Sequence, residues 1–259
     1  MLMWDLYENN NLYYDKQLKS PNLTTIVIPK VNTPNDLIYI SDIINHHHQQ
    51  QQQQNQNQNQ KRQISILALI ETAKSLTNIN QICKSTPFLQ GLIFAAEDFA
   101  LDLSITRTPS LTEFLFARSS IATAARAADL PSTIDLVCTT YRRAASGADS
   151  GGDDPMKVLE DECLNGKQLG FNGKQCIHPS QVETVQRVFG PTVDEVVWAV
   201  RVAVADQKAA LAGRGAWTLD GKMIDAPVAG KARAIVKKAE TCGFEVERLL
   251  EEWKDQQPE

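Results

Sequence analysis

Histidine is scarce in this sequence, and its placement limits the chemistry that the chain can perform. Of the four histidines, three stand together at residues 46–48 inside a glutamine-rich tract, and only His178 lies in a segment with a clear secondary-structure pattern. A histidine-based zinc site or a Ser-His-Asp triad needs positioned imidazoles, which this distribution does not provide. Carboxylates, lysines and backbone groups are therefore the expected carriers of any chemistry.

Other absences exclude whole classes of protein. The five cysteines form no Cys-x-x-Cys pair, which favours reduced thiols in an intracellular protein, mitochondrial or cytoplasmic, over a disulfide framework or a zinc site. The net charge is −5 without a basic, aromatic-rich patch, so nucleic acid is not an expected partner. No apolar run reaches the length of a membrane span, and no signal-peptide pattern opens the chain, so no membrane partner is expected.

Two apolar runs of the sequence each end in an acid. Residues 64–70 run ISILALI before Glu71, and residues 91–96 run GLIFAA before Glu97 and Asp98. Continuous apolar runs of this length are typical of strands buried on both faces of a parallel sheet. Chemistry in such folds lies at the carboxyl ends of the strands. The sequence therefore predicts two carboxylates, Glu71 and Asp98, at one rim, where they can hold a hard divalent cation.

The rest of the chain repeats the strand-then-helix pattern. We expect strands near 24–29, 64–70, 91–96, 133–138 and 174–178, and helices near 33–44, 73–84, 110–129, 156–169, 192–212 and 226–253. This alternation predicts an α/β fold, either a (β/α)₈ barrel or a doubly wound sheet. Residues 1–22 show no period and are expected to be irregular. Residues 46–62 are polar and of low complexity, so we expect a disordered insertion.

Each candidate residue also has a structural interpretation. Glu71 and Asp98 could be acids favoured by a helix dipole, but an acid that closes a buried strand is costly unless it is paired or binds a metal. Asp225 precedes Ala-Pro at a helix start, where Asp is a good N-cap. Lys30 could pair with a rim carboxylate or an anionic substrate, or be a solvated lysine. For His178 the residues alone favour a structural role over a catalytic one.

Six segments, taken together, resemble one known family. They are VIPKV (27–31), ALIETAKSL (68–76), GLIFAAEDFALDL (91–103), FARSSIATAARAADLP (116–131), LGFNGKQCIHPSQ (169–181) and TLDGKMIDAPV (218–228). Their order and spacing resemble the citrate lyase beta-subunit-like proteins of the HpcH/HpaI aldolase family, which include citramalyl-CoA and malyl-CoA lyases. The resemblance implies a TIM barrel over residues 23–240 with a helical C-terminal lid segment, followed by a tail at 241–259.

The resemblance also implies specific roles. It implies that Glu71 and Asp98 bind Mg²⁺, that Glu71 also lies against the acyl substrate, and that Asp225 is a catalytic acid donated by a neighbouring subunit of a homotrimer. It places His178 near the rim. Backbone N–H groups from Ala95 through Ala96 to Glu97 are candidates to bind a substrate carboxylate, and Glu97 could alternatively form a salt bridge.

The activity that the resemblance implies is a Mg²⁺-dependent carbon–carbon lyase. Its substrate would be an acyl-CoA or a small di- or tricarboxylic acid, with citramalyl-CoA, malyl-CoA and a citryl group left open. The family begins with two further βα units, one carrying an acidic motif and one a substrate-gripping arginine, and residues 1–22 match neither. A catalytically inactive scaffold or regulatory subunit is therefore an alternative. A metal-dependent α-keto acid decarboxylase or thioester hydrolase is another.

Overall fold

The computed structural model describes residues 2–3, 18, 20, 22–54, 64–142 and 154–259, and for residues 2–3 and 51–54 it describes the backbone alone. The chain divides into two compact units, Met1–Val185 and Gln186–Glu259. Within the described ranges, no helix combines the length and the apolar character needed to cross a membrane.

The first unit is built on one parallel sheet of six strands. They are β1 (Leu2–Met3), β2 (Thr25–Ile28), β3 (Ser65–Ile70), β4 (Leu89–Phe94), β5 (Ser132–Asp135) and β6 (Gly173–Lys174), and each pairs in parallel with the next in the chain. A doubly wound sheet reverses its strand order at a switch point, whereas a barrel adds each strand to the same edge. The order is therefore that of a barrel, as the family resemblance implied. In the described residues β6 does not pair with β1, so the sheet is incomplete.

Both faces of the central strands are buried, as their continuous apolar runs predicted. In β3 every residue after Ser65 is buried, and in β4 every residue but Gln90 is buried. One face forms a cluster made by alternate residues of neighbouring strands, namely Val27, Leu67, Leu69, Ile93 and Ala95. Because side chains alternate along a strand, the residues between them pack on the opposite face.

Helices follow the strands of the first unit. They are Pro34–Gln54, Ala73–Thr77, Ile79–Ile82, Ala96–Leu103, Leu115–Ala127, Pro155–Gln168 and Val182–Phe189, with 3₁₀ turns at Thr112–Phe114 and Pro179–Gln181. The last of these helices continues across the boundary into the second unit.

The prediction of disorder from residue 46 is wrong as far as Gln54. The helix Pro34–Gln54 continues through the histidine block and into the glutamines. Its buried stripe of Leu37, Ile40 and Ile44 extends at helical spacing to His47, which is 4% exposed. Because the imidazole of His47 extends the buried face, its packing stabilises the helix in this polar segment. The remainder of the predicted insertion, 55–62, lies outside the described residues.

Three other expectations need correction. Within the segment 1–22, expected to be irregular, Leu2 and Met3 form β1 and pair with β2, while most of the segment lies outside the described residues. The strand expected at 91–96 ends at Phe94, because Ala95 turns the chain into a helix that the sequence analysis missed, Ala96–Leu103. The strand expected at 174–178 is reduced to Gly173–Lys174.

The second unit combines helices with a hairpin. The helix Val193–Leu211 opens with a capping box of Thr192 and Glu195. An antiparallel hairpin joins β7 (Trp217–Leu219) to β8 (Lys222–Ile224). The helix expected at 226–253 is two helices, Ala226–Thr241 and Val246–Glu252, because Gly243 adopts a left-handed φ of 82° between them.

Candidate functional site

Glu71 stands at the carboxyl end of β3 and is almost completely buried. Its residue exposure is 3%, and its Oε1 accepts a hydrogen bond from the backbone N–H of Lys30 at 2.5 Å. Lys30 follows β2, the strand next to β3, and adopts a left-handed φ of 53° that turns this N–H toward the carboxylate. Among the described residues, this is the one hydrogen bond that the carboxylate receives.

Asp98 reaches the same rim from a helix rather than from a strand. It lies in the first turn of Ala96–Leu103, the helix that begins directly after β4. Ile70 and Phe94, the last residues of β3 and β4, are register partners, so the two segments leave the sheet side by side. The positive end of the helix dipole favours a carboxylate at this position.

Several influences act on the pKa of the Glu71 carboxyl, and one of them is the charge of Asp98. Burial raises the pKa of Glu71, the hydrogen bond from the Lys30 N–H lowers it, and the negative charge of Asp98 raises it further. A buried carboxylate next to another carboxylate is stabilised when a cation joins them. Within the described residues no group of three or more His, Cys, Asp or Glu is arranged to hold a metal ion.

Glu97 belongs to a chain of ion pairs that passes the carboxyl ends of β4, β5 and β6. Its Oε1 accepts from Arg107 Nη1 at 2.7 Å, which is the salt bridge that was one of its two predicted roles. Arg107 also donates to Val137 O at 2.9 Å and to Glu162 Oε1 at 2.9 Å. The second oxygen of Glu162 lies 2.8 Å from the buried Lys174 Nζ, in ionic contact without hydrogen-bond alignment. Arg107 thus ties the first turn of the Asp98 helix to the end of β5 and to the helix Pro155–Gln168.

The backbone N–H groups at this helix start divide into two kinds. Ala95 N donates to Ile70 O at 3.1 Å, so it is not available to a ligand and the expectation for it was wrong. Ala96 and Glu97 lie in the first turn, where N–H groups have no intrahelical acceptor. These two remain candidates for binding an anionic group.

His178 is held in a structural arrangement. Its ring stacks on Tyr141 with centroids 5.4 Å apart, and its Nδ1 accepts from the backbone N–H of Ser180 at 3.2 Å, which caps the following turn. In the same motif, Gln181 is fully buried and donates from Nε2 to Cys138 O at 2.9 Å. The conformation of this segment is therefore fixed by hydrogen bonds inside the protein.

Asp225 is the N-cap of the helix Ala226–Thr241. Its Oδ1 accepts from Val228 N at 3.1 Å, and the helix starts with proline in its first turn. This is the capping role that the sequence alone favoured. Asp225 lies in the second unit, whereas Glu71 and Asp98 lie in the first.

Sequence reasoning missed the residues that organise the site through long-range contacts. Arg107 and Glu162 are 55 positions apart, and Asp102, whose Oδ2 accepts from Ala73 N at 2.8 Å, is 29 positions from its partner. No short motif links such pairs. The one available signal was the spacing of Asp98 and Asp102, four residues apart and thus on one helix face.

Comparison with known proteins shows the family of the chain. The HpcH/HpaI aldolase/citrate lyase family profile matches residues 8–179. The citrate lyase subunit beta of Escherichia coli (strain K12) is 37% identical over 182 residues, which cover 70% of this chain and 56% of that protein. The mitochondrial citramalyl-CoA lyase of Homo sapiens is 28% identical over 224 residues, covering 83% and 60%. The chain belongs to the HpcH/HpaI aldolase/citrate lyase family.

A solved structure supports the same fold. Mycobacterium tuberculosis CitE, crystallised in complex with magnesium, acetoacetate and coenzyme A, superposes with a TM-score of 0.62 at 23% identity, covering 92% of this chain and 78% of that one. This chain spans little more than half the length of the E. coli and human relatives that it matches.

Proposed function

We propose that the protein is a Mg²⁺-dependent carbon–carbon lyase. Its substrate would be a 3-hydroxyacyl-CoA-type compound, either citramalyl-CoA, malyl-CoA or a citryl group, which it would cleave to an oxo acid and an acetyl thioester. The observation that carries the proposal is the buried carboxylate of Glu71 at the end of β3, whose pKa the charge of Asp98 helps to raise, in a chain of this family. The named activities of the E. coli and human relatives favour lyase chemistry.

The donor set fits magnesium. Mg²⁺ prefers oxygen ligands and is commonly held by one or two carboxylates, with water and substrate oxygens completing its octahedron. Glu71 and Asp98 would be those carboxylates. When bound, Mg²⁺ supplies Lewis-acid stabilisation to the oxygen at the cleaved carbon–carbon bond. A buried, desolvated Glu71 is costly without a cation, which is a physical reason for a metal at this point.

The remaining roles follow from the chemistry of the cleavage. Breaking the bond turns the hydroxyl carbon into the carbonyl of the oxo acid, releases the hydroxyl proton to solvent, and leaves a thioester enolate, which must take a proton in turn. We assign that proton to Asp225, supplied from a neighbouring subunit of a homotrimer. The N–H groups of Ala96 and Glu97 would hold the substrate carboxylate, with Lys30 and His178 at the periphery of the pocket.

The test is a lyase assay on citramalyl-CoA, malyl-CoA and citryl-CoA, with Mg²⁺ or with EDTA, in which oxo acid and thioester products are measured separately. We expect Mg²⁺-dependent release of both products from at least one substrate. Glu71→Gln and Asp98→Asn should abolish turnover and Mg²⁺ binding, whereas Asp161→Asn, at an exposed acid of the first unit, should change neither.

Each negative result of this assay has a different meaning. Thioester hydrolysis without oxo acid would indicate a hydrolase, and release of CO₂ would indicate a decarboxylase. Calorimetric binding of Mg²⁺ without turnover of any substrate would favour a non-catalytic scaffold or regulatory subunit. Absence of Mg²⁺ binding would refute the assigned metal ligands.

A further inference from the structure

The helix that carries Asp98 is bonded to the chain on both sides of Glu71. At its start, Ala95 N donates to Ile70 O at 3.1 Å, one residue before Glu71. Near its end, Asp102 Oδ2 accepts from Ala73 N at 2.8 Å, two residues after Glu71. Asp98 lies between these two anchor points along the helix.

The second anchor lies on the same face as Asp98. Asp98 and Asp102 are four residues apart, so their side chains project from one side of the helix Ala96–Leu103. Ala73 N is the first N–H of the helix Ala73–Thr77, where a carboxylate is favoured because no intrahelical acceptor exists. The face that presents Asp98 is therefore turned toward the segment that presents Glu71.

We propose that Asp102 is a positioning residue that fixes Asp98 opposite Glu71 through its hydrogen bond to Ala73 N. The inference rests on the proposed function, since it concerns the metal ligands named there. Without this bond the helix would keep the anchor at Ala95 and the contact of Glu97 with Arg107, both at its start, but would lose the anchor near its end. The separation of the two carboxylates would then no longer be set at both ends of the helix. A preorganised pair of carboxylates binds a small, geometrically demanding cation better than a loose pair does.

The test separates the hydrogen bond from the charge. Asp102→Ala removes both, whereas Asp102→Asn removes the charge but keeps an oxygen that accepts from Ala73 N. Asp161→Ala removes an exposed carboxylate elsewhere in the first unit and is the matched control. The readouts are the Mg²⁺ dissociation constant from calorimetry and the thermal unfolding midpoint of each metal-free variant.

We expect Asp102→Ala to weaken Mg²⁺ binding about 10-fold, the lower end of the range for lost partners of metal sites. Asp102→Asn and Asp161→Ala should stay near the wild-type affinity, and the exposed position of Asp102 should leave all three variants folded. Wild-type affinity in Asp102→Ala would overturn the proposal. Equal losses in Asp102→Ala and Asp102→Asn would overturn it too, since the charge alone would then be responsible. An equal loss in Asp161→Ala would have the same consequence.

The inference and the proposed function fail in different ways. If the wild-type protein binds Mg²⁺ and Asp102→Ala binds it equally well, the positioning role is wrong and the metal ligands stand. If the wild-type protein does not bind Mg²⁺, the proposed function is refuted and the positioning role with it.

Discussion

Arg118 and Asp135 form a fully buried ion pair, and breaking it should destabilise the first unit strongly. Arg118 is 1% exposed and Asp135 is 0% exposed. The guanidinium donates from Nε and Nη2 to the two carboxylate oxygens at 3.0 and 2.6 Å, and from Nη1 to Asn165 Oδ1 at 2.6 Å. The pair joins the helix Leu115–Ala127 to β5 and to the helix Pro155–Gln168, so it connects three elements around the sheet.

The size of the effect follows from the burial. Arg118→Met leaves a carboxylate with no exposure and no cation, a change that typically costs about 3–5 kcal/mol. Domains are stable by about 5–15 kcal/mol, so this single substitution should remove a large fraction of the stability of the unit. Arg118→Met combined with Asp135→Leu, which keeps the branched shape, should recover most of the loss, since buried pairs replaced by apolar groups are often neutral.

The assay must report on the first unit separately from the second. Three buried thiols, Cys83, Cys138 and Cys163, lie in the first unit, so their reaction with a thiol reagent along a urea series measures its opening. The exposed Cys176 and Cys242 give the baseline. Arg118→Met should shift the thiol transition to much lower urea.

Arg126→Met is the matched control, because Arg126 is exposed on the same helix. It should change the free energy of opening by no more than about 0.5 kcal/mol. The reasoning would be refuted if Arg118→Met cost less than about 1 kcal/mol, or if the double variant lost the sum of the two single losses, because the pair would then show no coupling.

Three further predictions follow. Asp225→Asn should keep its cap and its unfolding midpoint, while turnover falls about 10²–10⁴-fold if Asp225 is the proton donor. The hydrogen bond from Arg201 holds the pKa of Asp220 below its ordinary value. The ion pair therefore stabilises the fold above the unfolded-state pKa of Asp220, and this stabilisation is lost as the pH falls through the folded-state pKa. The difference in unfolding midpoint between wild type and Asp220→Asn should vanish in acid. Gly91→Ala should destabilise the sheet by about 1–3 kcal/mol, since an added Cβ would lie 2.6 Å from Ser132 O.

Each of the three has its own check. Asp225→Ala should lose both turnover and about 1 kcal/mol of stability, and normal turnover in Asp225→Asn would leave capping as the sole role. A midpoint difference for Asp220→Asn that persisted at low pH would exclude the ion pair as its cause. Gly213→Ala should act through its positive φ alone, because nothing lies within 4 Å of its added Cβ; urea unfolding of the two glycine variants compares crowding with backbone strain.

The sequence predicted the positions of the central strands β3 and β4, because each is marked by a local apolar pattern. The apolar runs before Glu71 and after Gln90 stand out at the scale of six residues, and the Asp220-Gly221 turn is signalled by two adjacent residues. Both of these turn residues adopt positive φ values, 49° and 73°, as a type I′ hairpin requires.

The sequence did not predict features whose cause is distant or unmarked. The start of Ala96–Leu103 has no side-chain cap, so the apolar run continues from strand to helix without a visible break. Ser110 and Glu113 have the spacing of a capping box, but Glu113 accepts instead from Thr108 N and Oγ1. The placement of Glu71 and Asp98 at one rim could be predicted because the carboxyl ends of parallel strands lie on the same side of a sheet. The hydrogen bonds of Asp102 and Arg107 depend on three-dimensional packing and could not be predicted.

Because the glutamine-rich tract begins inside the helix Pro34–Gln54, the effect of an inserted residue depends on its position relative to the buried face of that helix. A residue inserted after His48 would leave the buried stripe of Leu37, Ile40, Ile44 and His47 unchanged, while turning the helix beyond the insertion by about 100° and advancing it by about 1.5 Å. An insertion between Ile44 and His47 would instead rotate His47 off the buried face. Insertions and deletions after His47, the last buried histidine, therefore leave the buried face of the helix intact, whereas those before it disrupt that face.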